Sequence, residues 1–346
     1  MMQNARVHRY AGGICAIVLV LALICGGRAI AAAPVLDGPR LAVVKVSLFP
    51  FRYDLETVDE TGALPLRLAG GGSRKRPLPE PYIAPSWSPD GSEIAFVGLA
   101  RNYDVGPRGV RVYVSQADGS GIRPLPGTHG ADEPVFTPDG ASIAFGRARF
   151  RPAVNRRGEK RFVARGESIW LGDSMGDNQR RLTPERRGVF MWPESFTPDG
   201  STLLANRYVG SHPLEVVEIQ LGSGRIKTLL RHAIDPVYSP DGSKIALIHQ
   251  GHLSTMNAGG GGLRRLTSGR HSDYFPSWDP SGERLAFVSY PLESTELAEL
   301  GFGSALMQVN ADGTCLRTVL PATPSTGLFG AAWQPGPGRE AGRIAC

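Results

Sequence analysis

The sequence predicts an all-β chain: a six-bladed β-propeller of four-stranded antiparallel blades, with the ring closed by N- and C-terminal strands. Three observations predict it. One phrase recurs, clearest as Pro85-Ser-Trp-Ser-Pro-Asp-Gly-Ser-Glu-Ile-Ala-Phe96, with further copies from Pro134, Glu194, Pro236 and Pro276 and a worn one from Ala331. A second, glycine-bearing turn follows the copies, at Ala117–Gly121, Gly172–Gly176, Leu221–Gly224, Ala258–Gly262 and Ala311–Thr314. Helical periodicity is all but absent, with Ser294–Leu300 the single exception. A repeat period of roughly 40 to 60 residues marks a repeat architecture.

The unit that begins at Pro85 yields one blade. Ser86-Trp87 is a short strand. Ser88-Pro-Asp-Gly91 is a turn, because proline presets φ, the aspartate bonds its own backbone and glycine accepts the left-handed conformation. Ile94–Val97 returns as a strand apolar on both faces, and Val110–Ser115 alternates as a half-buried third strand. After the second turn, Ile122–Leu125 is a more polar fourth strand. Four antiparallel strands with two tight turns make a propeller blade. The start of the chain supplies Leu41–Val46, Leu55–Val58 and Leu64–Leu68, the strands that the last phrase lacks. Leu41–Val46 and Arg343–Cys346 compete for one slot in that closing blade.

Residues 1–33 read as a leader. Arg6, His8 and Arg9 give a basic start, Ile14–Cys25 is an apolar run, and Ala29-Ile-Ala31 and Ala31-Ala-Ala33 are small-x-small cleavage sites. The run is short for a span, which needs about 20 residues. An uncleaved anchor is the alternative, and it is the only membrane attachment expected. Residues 34–346 then form the propeller, exported to the periplasm, cell envelope or outside. Loss of the leader removes Arg6, Arg9 and Arg28 and lowers the net charge from +6 to +3, so charge does not argue for nucleic acid. Cys315 and Cys346 remain, and a single pair in an exported chain predicts a disulfide.

The pattern (W/F/Y)-(S/T)-P-D-G-x-x-(I/L)-A, followed by a glycine turn and strands such as Arg180-Arg-Leu-Thr183 and Arg264-Arg-Leu-Thr267, resembles the TolB-like, WD40-like β-propeller repeat. The resemblance runs from Leu41 to Cys346 and implies the six-bladed fold. It concerns the propeller alone, because the N-terminal domain that TolB carries ahead of its propeller has no counterpart between the leader and Leu41. A partner-binding role in an envelope complex is therefore not carried across by the resemblance itself.

Strand order fixes two faces. Both tight turns lie on one. The loops after each second strand and between blades lie on the other, and the long insertions 98–109, 146–167 and 289–304 fall there. Binding groups ride on such loops over a rigid scaffold. The candidate binding face comprises Tyr103, Asp104, His129, Asp132, Glu133, Arg149, Arg151, Arg156, Arg157, Glu194, His212, His232, Asp235, His249, His252, His271, Asp273 and Tyr274. Asp132, Glu133, Glu194, Asp235 and Asp273 are expected just before the innermost strands, ringing the channel mouth. The arginines of the 146–167 insertion suit an acidic partner, an anionic glycan or lipid headgroups, or simply keep a solvated ribbon soluble.

No H-x-x-x-H or C-x-x-C spacing supports a metal, so neither metal nor cofactor is expected. Gly172-Asp-Ser-Met-Gly176 matches the hydrolase elbow, but it sits between two strands where the elbow needs a strand and a helix. The leading expectation is a non-catalytic, exported scaffold for another envelope or extracellular protein. The alternatives are a metal-dependent polysaccharide lyase, which requires three histidines to converge near the axis, and a glycan or small-molecule binding protein.

Overall fold

The computed structural model describes residues 38–48, 51–70, 80–99, 109–154, 160–210, 212–292, 302–336 and 342–346. Blade 1 joins β1 (Arg40–Leu48), β2 (Phe51–Asp59) and β3 (Leu66–Gly70) to the last strand, β24 (Thr326–Trp333). Blade 2 is β4 (Glu80–Trp87), β5 (Glu93–Leu99), β6 (Val110–Gln116) and β7 (Arg123–Pro124). Blade 3 is β8 (Ala131–Phe136), β9 (Ser142–Val154), β10 (Lys160–Asp173) and β11 (Arg180–Arg181). Blade 4 is β12 (Val189–Phe196), β13 (Thr202–Val209), β14 (Glu215–Gln220) and β15 (Ile226–Arg231). Blade 5 is β16 (Ala233–Tyr238), β17 (Lys244–His249), β18 (His252–Asn257) and β19 (Arg264–Arg265). Blade 6 is β20 (His271–Trp278), β21 (Arg284–Pro291), β22 (Ala305–Asn310) and β23 (Arg317–Leu320).

Every pairing within a blade is antiparallel, and the first strands touch in turn around the ring, β4 to β8, β12, β16, β20, β24 and back to β4. Among the described residues there is no α-helix, and no helix is long and apolar enough to cross a membrane. Ser294–Leu300, the one helical expectation, lies outside the described residues.

The closing slot goes to the N-terminal strand. Leu41 pairs with Trp333 and Ser47 with Thr326. Arg343–Cys346 forms no strand; it lies along blade 6, where the Asn310 side chain donates to the Ile344 carbonyl at 3.0 Å and accepts its amide at 2.8 Å. The Cα atoms of Cys315 and Cys346 are 5.2 Å apart, within disulfide range.

The phrase is scaffold. Ser88 Oγ donates to Asp90 Oδ1 at 2.5 Å, the Ser92 amide donates to the same oxygen at 3.0 Å, and the Gly91 amide closes on the Ser88 carbonyl at 2.9 Å. Glycine is required there twice over: its φ is 70°, and a Cβ would stand 2.2 Å from the Pro335 carbonyl of the neighbouring blade. The fifth copy exchanges the two polar residues, so that Ser281 Oγ donates to Asp279 Oδ2 at 2.5 Å and the turn survives.

Each returning strand is sealed between blades. Ile94, Ala95, Phe96 and Val97 are all 0 % exposed. Trp278 packs with Ile248, Leu253 and Phe287 across the boundary of blades 5 and 6, and its Nε1 donates to the Val237 carbonyl at 3.2 Å. Trp87 repeats the bond to the Ala332 carbonyl at 3.1 Å, across the boundary of blades 1 and 2. The fourth strands are weaker than the sequence suggests. β7, β11 and β19 have two residues each, because prolines and arginines at the rim offer little apolar surface to bury.

Candidate functional site

The acids expected before the innermost strands lie within them. Asp132 and Glu133 are in β8, Glu194 in β12, Asp235 in β16 and Asp273 in β20. The reason is a β-bulge in each strand, between Asp132 and Val135, Pro193 and Ser195, Ile234 and Val237, and Tyr274 and Ser277. The bulge lets the strand run on past the phrase while re-aiming one residue. Glu133, Asp235 and Phe275 take that position with φ of 45°, 53° and 56°, a conformation uncommon for residues other than glycine.

Two of these acids belong to a chain of bonds across three blades. Asn206 Nδ2 donates to Glu194, Asn206 Oδ1 accepts the Asp235 amide at 3.2 Å, and Asp235 Oδ2 accepts the Phe275 amide at 3.0 Å. Asn206, wholly buried on β13, was not among the sequence candidates. Asp132 instead meets Glu167 of β10 over Gly146, where a Cβ would stand 2.4 Å from Asp132 Oδ1 and 2.5 Å from Glu167 Oε1. Burial, then the Asp132 charge, pushes the Glu167 carboxyl well above its usual range.

The histidines divide. His129, His212 and His232 are exposed in separate loops. His249 and His252 flank the turn between β17 and β18, and His271 opens β20. The three-histidine convergence near the axis is not found among the described residues. What converges is His252, His271 and Asp273, whose donor atoms all lie within 4.8 Å of one another. His271 Nε2 is 3.4 Å from Asp273 Oδ1, and His252 Nδ1 is 3.9 Å from Asp273 Oδ2. Burial lowers the pKa of His252; the Asp273 charge opposes this, and Arg265 and His271 add to it. His249 is lowered by burial, then by Arg265 and His232. Tyr274 stacks edge-on against Tyr290 with ring centroids 5.0 Å apart.

The arginine-rich insertion is a two-stranded ribbon, β9 and β10 staying paired out to Val154 and Lys160. Arg149 and Arg151 are exposed on it, and Arg149 Nη1 donates to Glu185 Oε1 at 2.9 Å. Arg149, Arg165, Arg186, Arg187 and Glu185 line a cleft of about 100 Å³ at its base. Tyr103, Asp104, Arg156 and Arg157 lie outside the described residues. A larger cleft, about 370 Å³, opens on the opposite, turn face between Lys244, Arg264, Glu283 and Asp312. It is an open gap beside the ion pair of Arg343 and Asp312, and among the described residues none of the buried side-chain groups without a hydrogen bond lines it.

A closed ring of six four-stranded blades defines the class, a six-bladed β-propeller. Its sequence and fold are TolB-like. No protein-family model matches the chain. A Tol-Pal system protein TolB from Anaeromyxobacter dehalogenans (strain 2CP-1) is 38% identical over 125 residues, 34% of this chain and 28% of that protein. The match thus spans little more than a quarter of that relative's length. The crystal structure of TolB from Acinetobacter baumannii superposes with a TM-score of 0.64 at 22% identity, covering 86% of this chain and 67% of that one. A chain of a nidogen–laminin complex superposes with a TM-score of 0.59 at 8% identity, covering 86% and 98%. At those identities the superpositions speak for fold alone, and function must be argued from the site.

Proposed function

We propose that the mature chain is an exported, non-catalytic propeller that binds another envelope protein through its loop face, as a scaffold in a Tol-Pal-type system. One observation carries the reading: every described strand is consumed by the six blades, while the β9–β10 ribbon projects its arginines beyond them. The leader read in residues 1–33 supports export, and the TolB name of the matched relative supports an envelope setting.

The ribbon is expected to meet an acidic surface, with rim charges acting mainly on association rate and salt dependence. The test is immobilised binding between the purified mature protein and the Pal component of the same organism. Serine at Arg149, Arg151, Arg156 and Arg157 together should weaken binding about tenfold or more at low salt, and much less at high salt. Unchanged binding by the quadruple variant removes the ribbon from the interface. Absence of binding by the wild type overturns the Tol-Pal assignment.

A further inference from the structure

Asp273 stands where the other blades place an apolar side chain. Its slot is the third residue before the repeated phrase. Four of the other copies fill it with Ala131, Met191, Ala233 and Leu328, each at most 3 % exposed. Asp273 is 0 % exposed in the same slot. A carboxylate buried between blades must be compensated. Half of it is: Thr267 Oγ1 and the Leu253 amide, the latter at 3.0 Å, both donate to Oδ2. Thr267 holds that amide as well, at 3.0 Å, an arrangement that Thr183 and Thr128 repeat in other blades without an acid. Oδ1 receives no hydrogen bond, and neither does His252 Nδ1.

One donor atom from each of His252, His271 and Asp273 lies within 4.8 Å of the other two. His271 Nε2 stands 3.4 Å from Asp273 Oδ1, and the imidazoles of His252 and His271 are perpendicular at 5.4 Å. A tetrahedral zinc ion with bonds of about 2.0–2.1 Å sets its ligand atoms roughly 3.3–3.5 Å apart. The His271–Asp273 edge already has that length. The remaining edges, all within 4.8 Å, close with shifts of about 1.5 Å or less on the bond lengths of such a site, the side chains of His252 and His271 being 14% and 26% exposed. The Thr267 and Leu253 donors fix the carboxylate through one oxygen and leave the other for an ion, the usual outer-shell arrangement.

We propose that His252, His271 and Asp273 form a divalent transition-metal site, with zinc the favoured ion, that clamps the β17–β18 turn of blade 5 to the innermost strand of blade 6. Two imidazoles and one carboxylate favour zinc and its first-row neighbours over magnesium or calcium. Three protein ligands leave a fourth position for water or for a donor from a bound partner. The positive charge of Arg265, near enough to act on His252, opposes the ion. The site is independent of the scaffold reading and stands or falls without it.

The experiment uses untagged mature protein, stripped with chelator and titrated calorimetrically with Zn²⁺, Mg²⁺ and Ca²⁺. One Zn²⁺ per chain is expected, with no comparable binding of Mg²⁺ or Ca²⁺. His252→Ala and His271→Ala should each weaken Zn²⁺ binding tenfold or more while the circular dichroism of the propeller is kept. Cobalt substitution should give the visible bands of a tetrahedral ion. If a variant fails to fold, imidazole ¹⁵N spectra of the wild type decide the matter, because only His252 and His271 should respond to zinc. Zn²⁺ binding unaffected by the two substitutions, a response from other histidines, or no saturable binding overturns the site.

Discussion

Arg284 Nη2 donates to Glu60 Oε2 at 2.6 Å, joining residues 224 apart in sequence across the seam between blade 6 and the closing blade. Arg284 is 2 % exposed, yet it belongs to the repeated phrase at a position where other copies carry Glu93, Ser142 or Lys244 near solvent. Arg317 Nη2 and Gln308 Nε2 donate to the Glu60 carbonyl at 3.1 and 3.2 Å, so blade 6 grips this one turn of blade 1 three times. The Arg284 guanidinium also lies 5.6 Å from the Trp333 ring on the strand that closes the circle.

The two partners are not equivalent. Glu60 has 36% of its side chain exposed and can turn to water, whereas Arg284 cannot. Glu60→Ala leaves a buried cation with reduced compensation and should cost about 2 kcal/mol, below the range for wholly buried pairs because the acid is partly solvated. Arg284→Met exchanges the cation for apolar volume and should cost under about 1 kcal/mol. Urea denaturation of both variants checks the order. A greater loss in Arg284→Met would mean that the stacking on Trp333, and not the ion pair, holds the seam.

Cys346 fastens the tail to blade 6 through Cys315, 31 residues away. The strand that closes the ring, β24, lies within that span, so the bridge restrains the segment whose release opens the propeller. Cys346→Ser, or reduction of the wild type, should lower stability by about 3 kcal/mol in the chain-entropy picture. Thermal melts with and without reductant check this, and reductant should leave the melt of Cys346→Ser unmoved.

Most of the fold was legible in the sequence because its causes are local. Pro89, Asp90 and Gly91 make their turn without help from distant residues, and Ile94–Phe96 is apolar wherever it packs. The closing slot was not legible. Leu41–Val46 and Arg343–Cys346 are both plausible strands, and the choice depends on Asn310 holding Ile344 away from the sheet edge. The site was half legible. His252, His271 and Asp273 were among the candidates, but nothing local separated them from His129 or His212. The separating signal was in the alignment of the copies: a lone acid in the slot of Ala131, Met191 and Ala233. Glu167 and Asn206 were missed because their roles depend on strand register, which places Asp132 opposite Gly146 and Asn206 beside Glu194.

The repeated turns set the acid limit. Asp241 accepts from Ser239 Oγ at 2.5 Å, Ser243 Oγ at 2.7 Å and the Ser243 amide at 3.0 Å, which lowers its pKa to about 2. Asp90, Asp139 and Asp199 are lowered too, each first by the hydroxyl two residues before it. A carboxylate depressed by folding contributes stability that is complete above its unfolded pKa, near 3.9, and that is lost as pH falls through the folded value. Stability should therefore decline from about pH 4 down to about pH 2. Asp241→Asn should decline less over that window, as followed by urea midpoints at pH 4 and pH 2.5. A decline as steep as that of the wild type would place the acid sensitivity elsewhere.

Glu167 and Asp132 set the opposite trend. Glu167 is 7 % exposed, and its Oε1 and Asp132 Oδ1 both lack an assigned donor, which one shared proton would supply to the pair. Burial raises both carboxyls, and the Asp132 charge raises Glu167 further. A carboxyl raised by folding binds more protons in the native state, so stability is greatest while it stays protonated and falls as pH rises from about 4.3 through the folded value. Glu167→Gln keeps a donor for Asp132 and has no proton to lose. It should therefore match the wild type near pH 5 and exceed it at pH 8, by on the order of 1 kcal/mol. Glu167→Ala should be less stable at both, because it leaves Asp132 buried without the donor. Urea denaturation of the three proteins at pH 5 and pH 8 separates these outcomes, and a Glu167→Gln variant weaker than the wild type at pH 8 would rule out the shared proton.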